Sequence, residues 1–132
     1  MSDSLTLDVG QFEALRAFLS DGPPHDMLPE MIRLFEEGVR EWLVEAVSAI
    51  DREDTAVFGR VAHSLKGVCG TVGATRMRAL AIDMEDAVTA GHVSQVGGLV
   101  RALALEFERV MALLAPYVHD RSDHTSALAS CE

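Results

Sequence analysis

Ala62-His63-Ser64-Leu65-Lys66-Gly67-Val68-Cys69-Gly70-Thr71-Val72-Gly73-Ala74 is the stretch whose winding decides the fold. Taken from Asp54 to Val72 at about 100° per residue, it predicts a helix. Val57, Val61, Leu65, Val68 and Val72 fall on one stripe, widened by Phe58, Ala62 and Cys69. His63 then points almost opposite to the stripe, into solvent. Its neighbours on that outer face are Ala56, Gly59, Gly67 and Gly70. Glycine inside a helix costs about 1 kcal/mol relative to alanine. Concentrating three of them around one imidazole implies that another macromolecule approaches it closely.

Working outward, each neighbouring helix is bounded by its own punctuation. Asp8 can cap a short helix to about Leu19, with Val9, Phe12, Leu15 and Leu19 as its apolar positions. Gly22-Pro23-Pro24-His25 reads as a connector. A long helix is expected from about Asp26 to Ile50, with Pro29 tolerated in its first turn. Its apolar set runs from Met27 through Phe35, Val39, Trp42, Leu43 and Val47 to Ile50. Asp54 can cap the His63 helix. The next helix runs from Thr75 to about Ala90 on Met77, Leu80, Ala81, Met84 and Val88, and Gly91 stops it. The last is expected from about Ser94 to Tyr117, with a first turn loosened by Gly97-Gly98. From His119 the pattern is polar and aperiodic, which predicts a disordered tail over 119–132 behind a domain at 1–118. The predicted fold is all-α: an antiparallel four-helix bundle with a short additional N-terminal helix.

Composition narrows the function classes. The chain has 132 residues, enough for one domain with a real core. Its net charge of −10 argues against nucleic acid and anionic membrane surfaces, since both require basic patches. There is no apolar run long enough to span a bilayer, and Met1-Ser2-Asp3-Ser4 does not open a signal peptide. A cytoplasmic protein is the expectation. With two cysteines, Cys69 on a core face and Cys131 in the tail, free thiols are expected rather than a disulfide framework. His25, His63, His92, His119 and His124 show no spacing suited to a zinc site, so no metal is expected. No Walker-type loop appears, so the chain is expected to be no kinase by itself.

The run His63-Ser64-Leu65-Lys66-Gly67, followed by Gly70 and Gly73-Ala74, resembles the signature of histidine-containing phosphotransfer domains, the phosphoryl carriers of two-component relays. The resemblance covers helix order and spacing from about Leu28 to Tyr117. It implies a four-helix bundle whose exposed histidine takes a phosphoryl group from a receiver-domain aspartate or a kinase and passes it to another receiver. His63 would be the phospho-acceptor, Lys66 would lie beside the phosphoryl group, and Gly67 would leave room for the partner. Response-regulator receivers and a hybrid sensor kinase are the implied partners, to a carrier expected to be a monomer. Magnesium would be held by the receiver and no cofactor by this chain. Val68-Cys69 and Thr71 depart mildly from the commonest family pattern, which bears on local packing. The alternatives are the phospho-accepting domain of a chemotaxis-type kinase, expected to continue for hundreds of residues more, or a helical adaptor that has lost the chemistry.

Further site residues follow from geometry. Helices meeting near Gly73-Ala74 run antiparallel, which puts Glu85 level with His63. Glu85 either reaches the Nδ1–H of His63, leaving Nε2 free and raising the basicity of the ring, or pairs with Arg78 on its own helix. Lys66, three residues after His63, either supplies charge to phosphoryl oxygens or simply snorkels over the bundle edge. Ser64 projects about 100° away and makes no Ser–His pair. Docking is expected over Gly59, Gly67 and Gly70 and the flank with Ile82 and Glu85. Ile82 should face water, and the surplus Met and Leu residues of the helix near Met27 should complete the patch.

Overall fold

The computed structural model describes residues 6–20 and 27–130, with residue 20 and residues 119–130 as backbone only. The predicted connector at 22–25, the helix start at Asp26 and Cys131 lie outside the described residues. In chain order the elements are α1 (Val9–Ser20), α2 (Leu28–Ala49), α3 (Thr55–Val72), α4 (Thr75–Ala90), a 3-10 turn (Val93–Gln95) and α5 (Val96–Ser130). No strand occurs among the described residues. Helices α2 to α5 form a ring in which each packs on the next and α5 closes on α2, with α3 against α4 the most extensive contact. The all-α bundle read from periodicity is the fold.

Local chemistry explains the boundaries. The Asp54 carboxylate accepts from the Val57 amide at 3.3 Å, capping α3, and Asp8 accepts from the Gln11 amide at 3.1 Å, capping α1. Gly73 ends α3 at φ +90° and Gly91 ends α4 at φ +81°, both left-handed conformations that favour glycine. At Gly73 a side chain is excluded twice over, because an added Cβ would stand 3.1 Å from the Asp8 carbonyl oxygen. The Asp8 amide in turn donates to the Gly73 carbonyl at 2.7 Å, and the Gln11 side-chain amide donates to the Gly70 carbonyl. Thus α1 is strapped across the turn between α3 and α4. Phe12 is buried beneath it, edge-on to Tyr117 with ring centroids 4.8 Å apart.

The core is the expected set with a narrower α2 face and with Val9 of α1 exposed. Ile32, Phe35, Val39, Leu43 and Ala46 are buried, whereas Met27 and Val47 of the apolar set are exposed. Arg40 helps join α2 to α5: it lies 5.1 Å over the Phe107 ring and 3.7 Å from Glu108. Helix α5 passes through Pro116 and runs to Ser130, where the sequence reading ended it near Tyr117 and expected a disordered tail. Loss of apolar periodicity removes the reason to pack, but a run ending in Ser126-Ala127-Leu128-Ala129 keeps local helix propensity.

Candidate functional site

His63 stands on the outer face of α3 with 75% of its side chain exposed. The core stripe faces the other way: Val61, Ala62, Leu65, Cys69 and Val72 are buried, which fixes the helix's rotation and so the direction of the imidazole. Across the α3–α4 seam, Glu85 presents both carboxylate oxygens to α3. Its Oε2 lies 3.6 Å from His63 Nδ1, and its Oε1 accepts from Lys66 Nζ at 2.9 Å. The three predicted residues are therefore one cluster. Glu85 does not pair with Arg78. Lys66 and Glu85 are each about two-thirds covered, with 31% of each side chain exposed. The Lys66 ammonium, with a smaller contribution from His63, holds the Glu85 carboxyl below its ordinary value of 4.5 against the opposing effect of burial.

A carboxylate 3.6 Å from Nδ1, just beyond hydrogen-bond reach, favours the ring proton on that nitrogen over Nε2. The cluster can therefore present a nucleophilic nitrogen on a rigid rod while balancing positive charge on the ring. The cleared face is narrower than the sequence suggests. At Gly67 an added Cβ would meet nothing within 4 Å, so this surface is open. Gly59 is half-buried, its missing Cβ 4.0 Å from Val88 of α4. Gly70 is covered: a Cβ there would lie 3.3 Å from Arg78 Nε and 3.5 Å from its Cδ. Two of the three glycines thus face α4 side chains, which periodicity within α3 cannot reveal. Ile82 is half-buried rather than facing water.

The Hpt domain family matches residues 30–113. The chain belongs to that family. A curated relative, histidine-containing phosphotransfer protein 2 of Arabidopsis thaliana, is 31% identical over 96 residues, which covers 70% of this chain and 59% of that protein. The chain thus spans less than two thirds of the relative's length. No solved structure matches the chain significantly.

Two features of this Hpt domain escaped sequence reading. A groove of about 260 Å³ runs between α2 and α3, lined by Met31, Leu34, Phe35, Val68, Thr71 and Val72. Its α3 wall begins at the residue after Gly67, and Leu34 on its α2 wall is 57% exposed. The signal was the excess of Met and Leu near the start of α2, but their side chains could not be placed against α3 from one helix alone. Trp42 is the second. Its ring lies 3.8 Å from the missing Cβ of Gly38, and it lines a further groove with Glu45 and Arg60. Among the described residues no group of three His, Cys, Asp or Glu is arranged to hold a metal ion, and no helix is long and apolar enough to cross a membrane.

Proposed function

We propose that this chain is a phosphohistidine carrier of a multistep relay, with His63 Nε2 as the atom that takes the phosphoryl group. The observation that carries this is the exposed imidazole whose Nδ1 faces a carboxylate 3.6 Å away, beside an open Gly67. In the transfer, neutral Nε2 attacks the phosphorus of a receiver's aspartyl phosphate. The N–P bond forms as the P–O bond to the aspartate breaks, and the aspartate leaves as a carboxylate. No proton needs to move. Nδ1 keeps its hydrogen, the ring becomes cationic, and Glu85 stands where that charge develops. Lys66, one turn from His63, supplies positive charge to the phosphoryl oxygens once Glu85 turns to the ring. The reverse step delivers the group to a second receiver.

The carrier needs no nucleotide site of its own, and in this reading it is no kinase. A hybrid sensor kinase loads the first receiver, and the magnesium ion that phosphoryl transfer uses comes with the receiver. The protein acts in the cytoplasm as a monomer, since one bundle carries a complete site. Receivers dock over His63 and Gly67, the Ile82 flank of α4 and the groove bordered by Leu34. The deciding experiment is phosphoryl uptake by wild type and His63→Gln, from phosphoramidate and from receiver domains charged with acetyl phosphate. Acid-labile label on wild type alone, with helical content unchanged in the variant, is expected. Label retained on His63→Gln would refute the assignment, and no label on either protein would point to the adaptor alternative.

A further inference from the structure

We propose that Arg78 is a docking cation for the receiver, held by Gly70 on the His63 face to meet a carboxylate of the partner. This rests on the phosphocarrier reading and names one contact within it. Gly70 is seven residues from His63 on the same face, about 10 Å along the helix by its rise per residue. Periodicity alone suggests that the glycine clears a path for the partner. The geometry adds a second role: Arg78 of α4 lies against the bare Gly70, its Nε 3.3 Å and its Cδ 3.5 Å from where a Cβ would stand, so a side chain there would press on the arginine. Glycine here makes a notch in α3, and the arginine of α4 lies in it. The positive charge of Arg78 also reaches the neighbouring Cys69 thiol, where it works against the effect of burial.

The charge so placed is free. Arg33 and Arg40 on α2 and Arg60 on α3 each have a carboxylate partner, and Lys66 has Glu85. Arg78 has no ion pair among the described residues, in a chain with 21 acidic and 11 basic side chains. Arg76 and Arg101 share that property, but Arg78 alone lies in the notch of Gly70. Since Glu85 neutralises Lys66, Arg78 is the uncompensated cation flanking the open strip at Gly67. A guanidinium is a flat, weakly hydrated fork that fits carboxylates with two hydrogen bonds. A receiver holds its phosphoryl group on an aspartate, so the surface brought to His63 is one that carries carboxylates. Arg78 gives an otherwise acidic bundle a positive point of contact there.

The test uses the full chain and a receiver that discharges onto wild-type His63. The second-order transfer rate is measured for wild type, Arg78→Ala, Gly70→Ala, the double variant and Arg101→Ala, at low and high salt. Arg78→Ala should slow transfer about five- to tenfold at low salt and flatten its salt dependence. Arg101→Ala should do neither. Labelling of His63 by phosphoramidate, which needs no docking, should be unchanged in all variants. Gly70→Ala should move Arg78 only slightly, so it should slow transfer less than Arg78→Ala does, and should add little in the Arg78→Ala background. Transfer at the wild-type rate by Arg78→Ala would overturn the proposal, as would an equal loss of phosphoramidate labelling, which would place Arg78 at the phosphoryl group instead. A Gly70→Ala loss that persists in full without Arg78 would return the glycine to a clearance role. Failure of wild type to take label from phosphoramidate would count against the phosphocarrier reading itself, and is seen separately from any Arg78 effect.

Discussion

Glu85 Oε1 lies 2.9 Å from Lys66 Nζ, so the one lysine beside the exposed histidine is tied to the carboxylate that also faces that histidine. The pair explains why the Glu85 carboxyl sits below its ordinary value, and the sign of the linkage follows. A depressed carboxyl contributes stability above the unfolded value, and the contribution is lost as pH falls through the folded value. The contact should therefore persist through neutral pH and dissolve only in acid below about the ordinary carboxylate range. Lys66→Met should move the Glu85 titration up towards 4.5. Carbon-detected NMR of the carboxyl measures it, and an unmoved midpoint would mean that Lys66 is not the main cause.

Gly67→Gln separates folding from transfer. The added side chain meets no neighbour, so the bundle should gain about 0.5 kcal/mol from helix propensity. Transfer from a charged receiver should fall at least tenfold, since a side chain one turn from His63 would fill the approach path. Urea unfolding and rapid-quench transfer give the two numbers, and wild-type transfer would refute the clearance role of Gly67.

Leu34→Glu tests the groove. Leu34 is mostly exposed, so stability should change by no more than about 0.5 kcal/mol. Receiver binding should weaken by about 1–2 kcal/mol if the leucine is an apolar anchor of the interface. Calorimetric titration reads the loss directly. An unchanged affinity would confine docking to α3 and α4.

Gly73→Ala should be among the costliest single changes. The residue would have to hold φ +90° with a Cβ 3.1 Å from the Asp8 carbonyl, and the penalty should be about 2 kcal/mol. Hydrogen exchange should speed up first in α1, whose capping residue Asp8 donates its amide to the Gly73 carbonyl. A variant as stable as wild type would mean that the turn relaxes without α1.

Legibility followed a physical line. Caps and stops at Asp8, Asp54, Gly73 and Gly91 are local chemistry, and each stood in the sequence. Glu85 was found because a short turn makes helix height countable: residues equidistant from Gly73 come level. What stayed hidden depends on where a neighbouring helix's side chains lie. Arg78 against Gly70 and Val88 against Gly59 both come from α3 and α4 meeting closely. Winding one helix gives a residue's angle on that helix, but not what its neighbour lays across it. The exposed side chains of Met27 and Val47 have a related cause, since α2 has more apolar positions than one core face can bury.

Trp42 is the chain's one tryptophan, and it shares a groove with Arg60, three positions before His63. Indole emission shifts with the polarity around the ring, so a partner that reached that groove would change it. The chain thus carries an intrinsic optical probe in a groove whose Arg60 stands one turn of α3 from His63. Under the proposed function, the arrival of a receiver that reaches this groove is readable by intrinsic fluorescence, with no dye attached, separately from phosphoryl transfer itself.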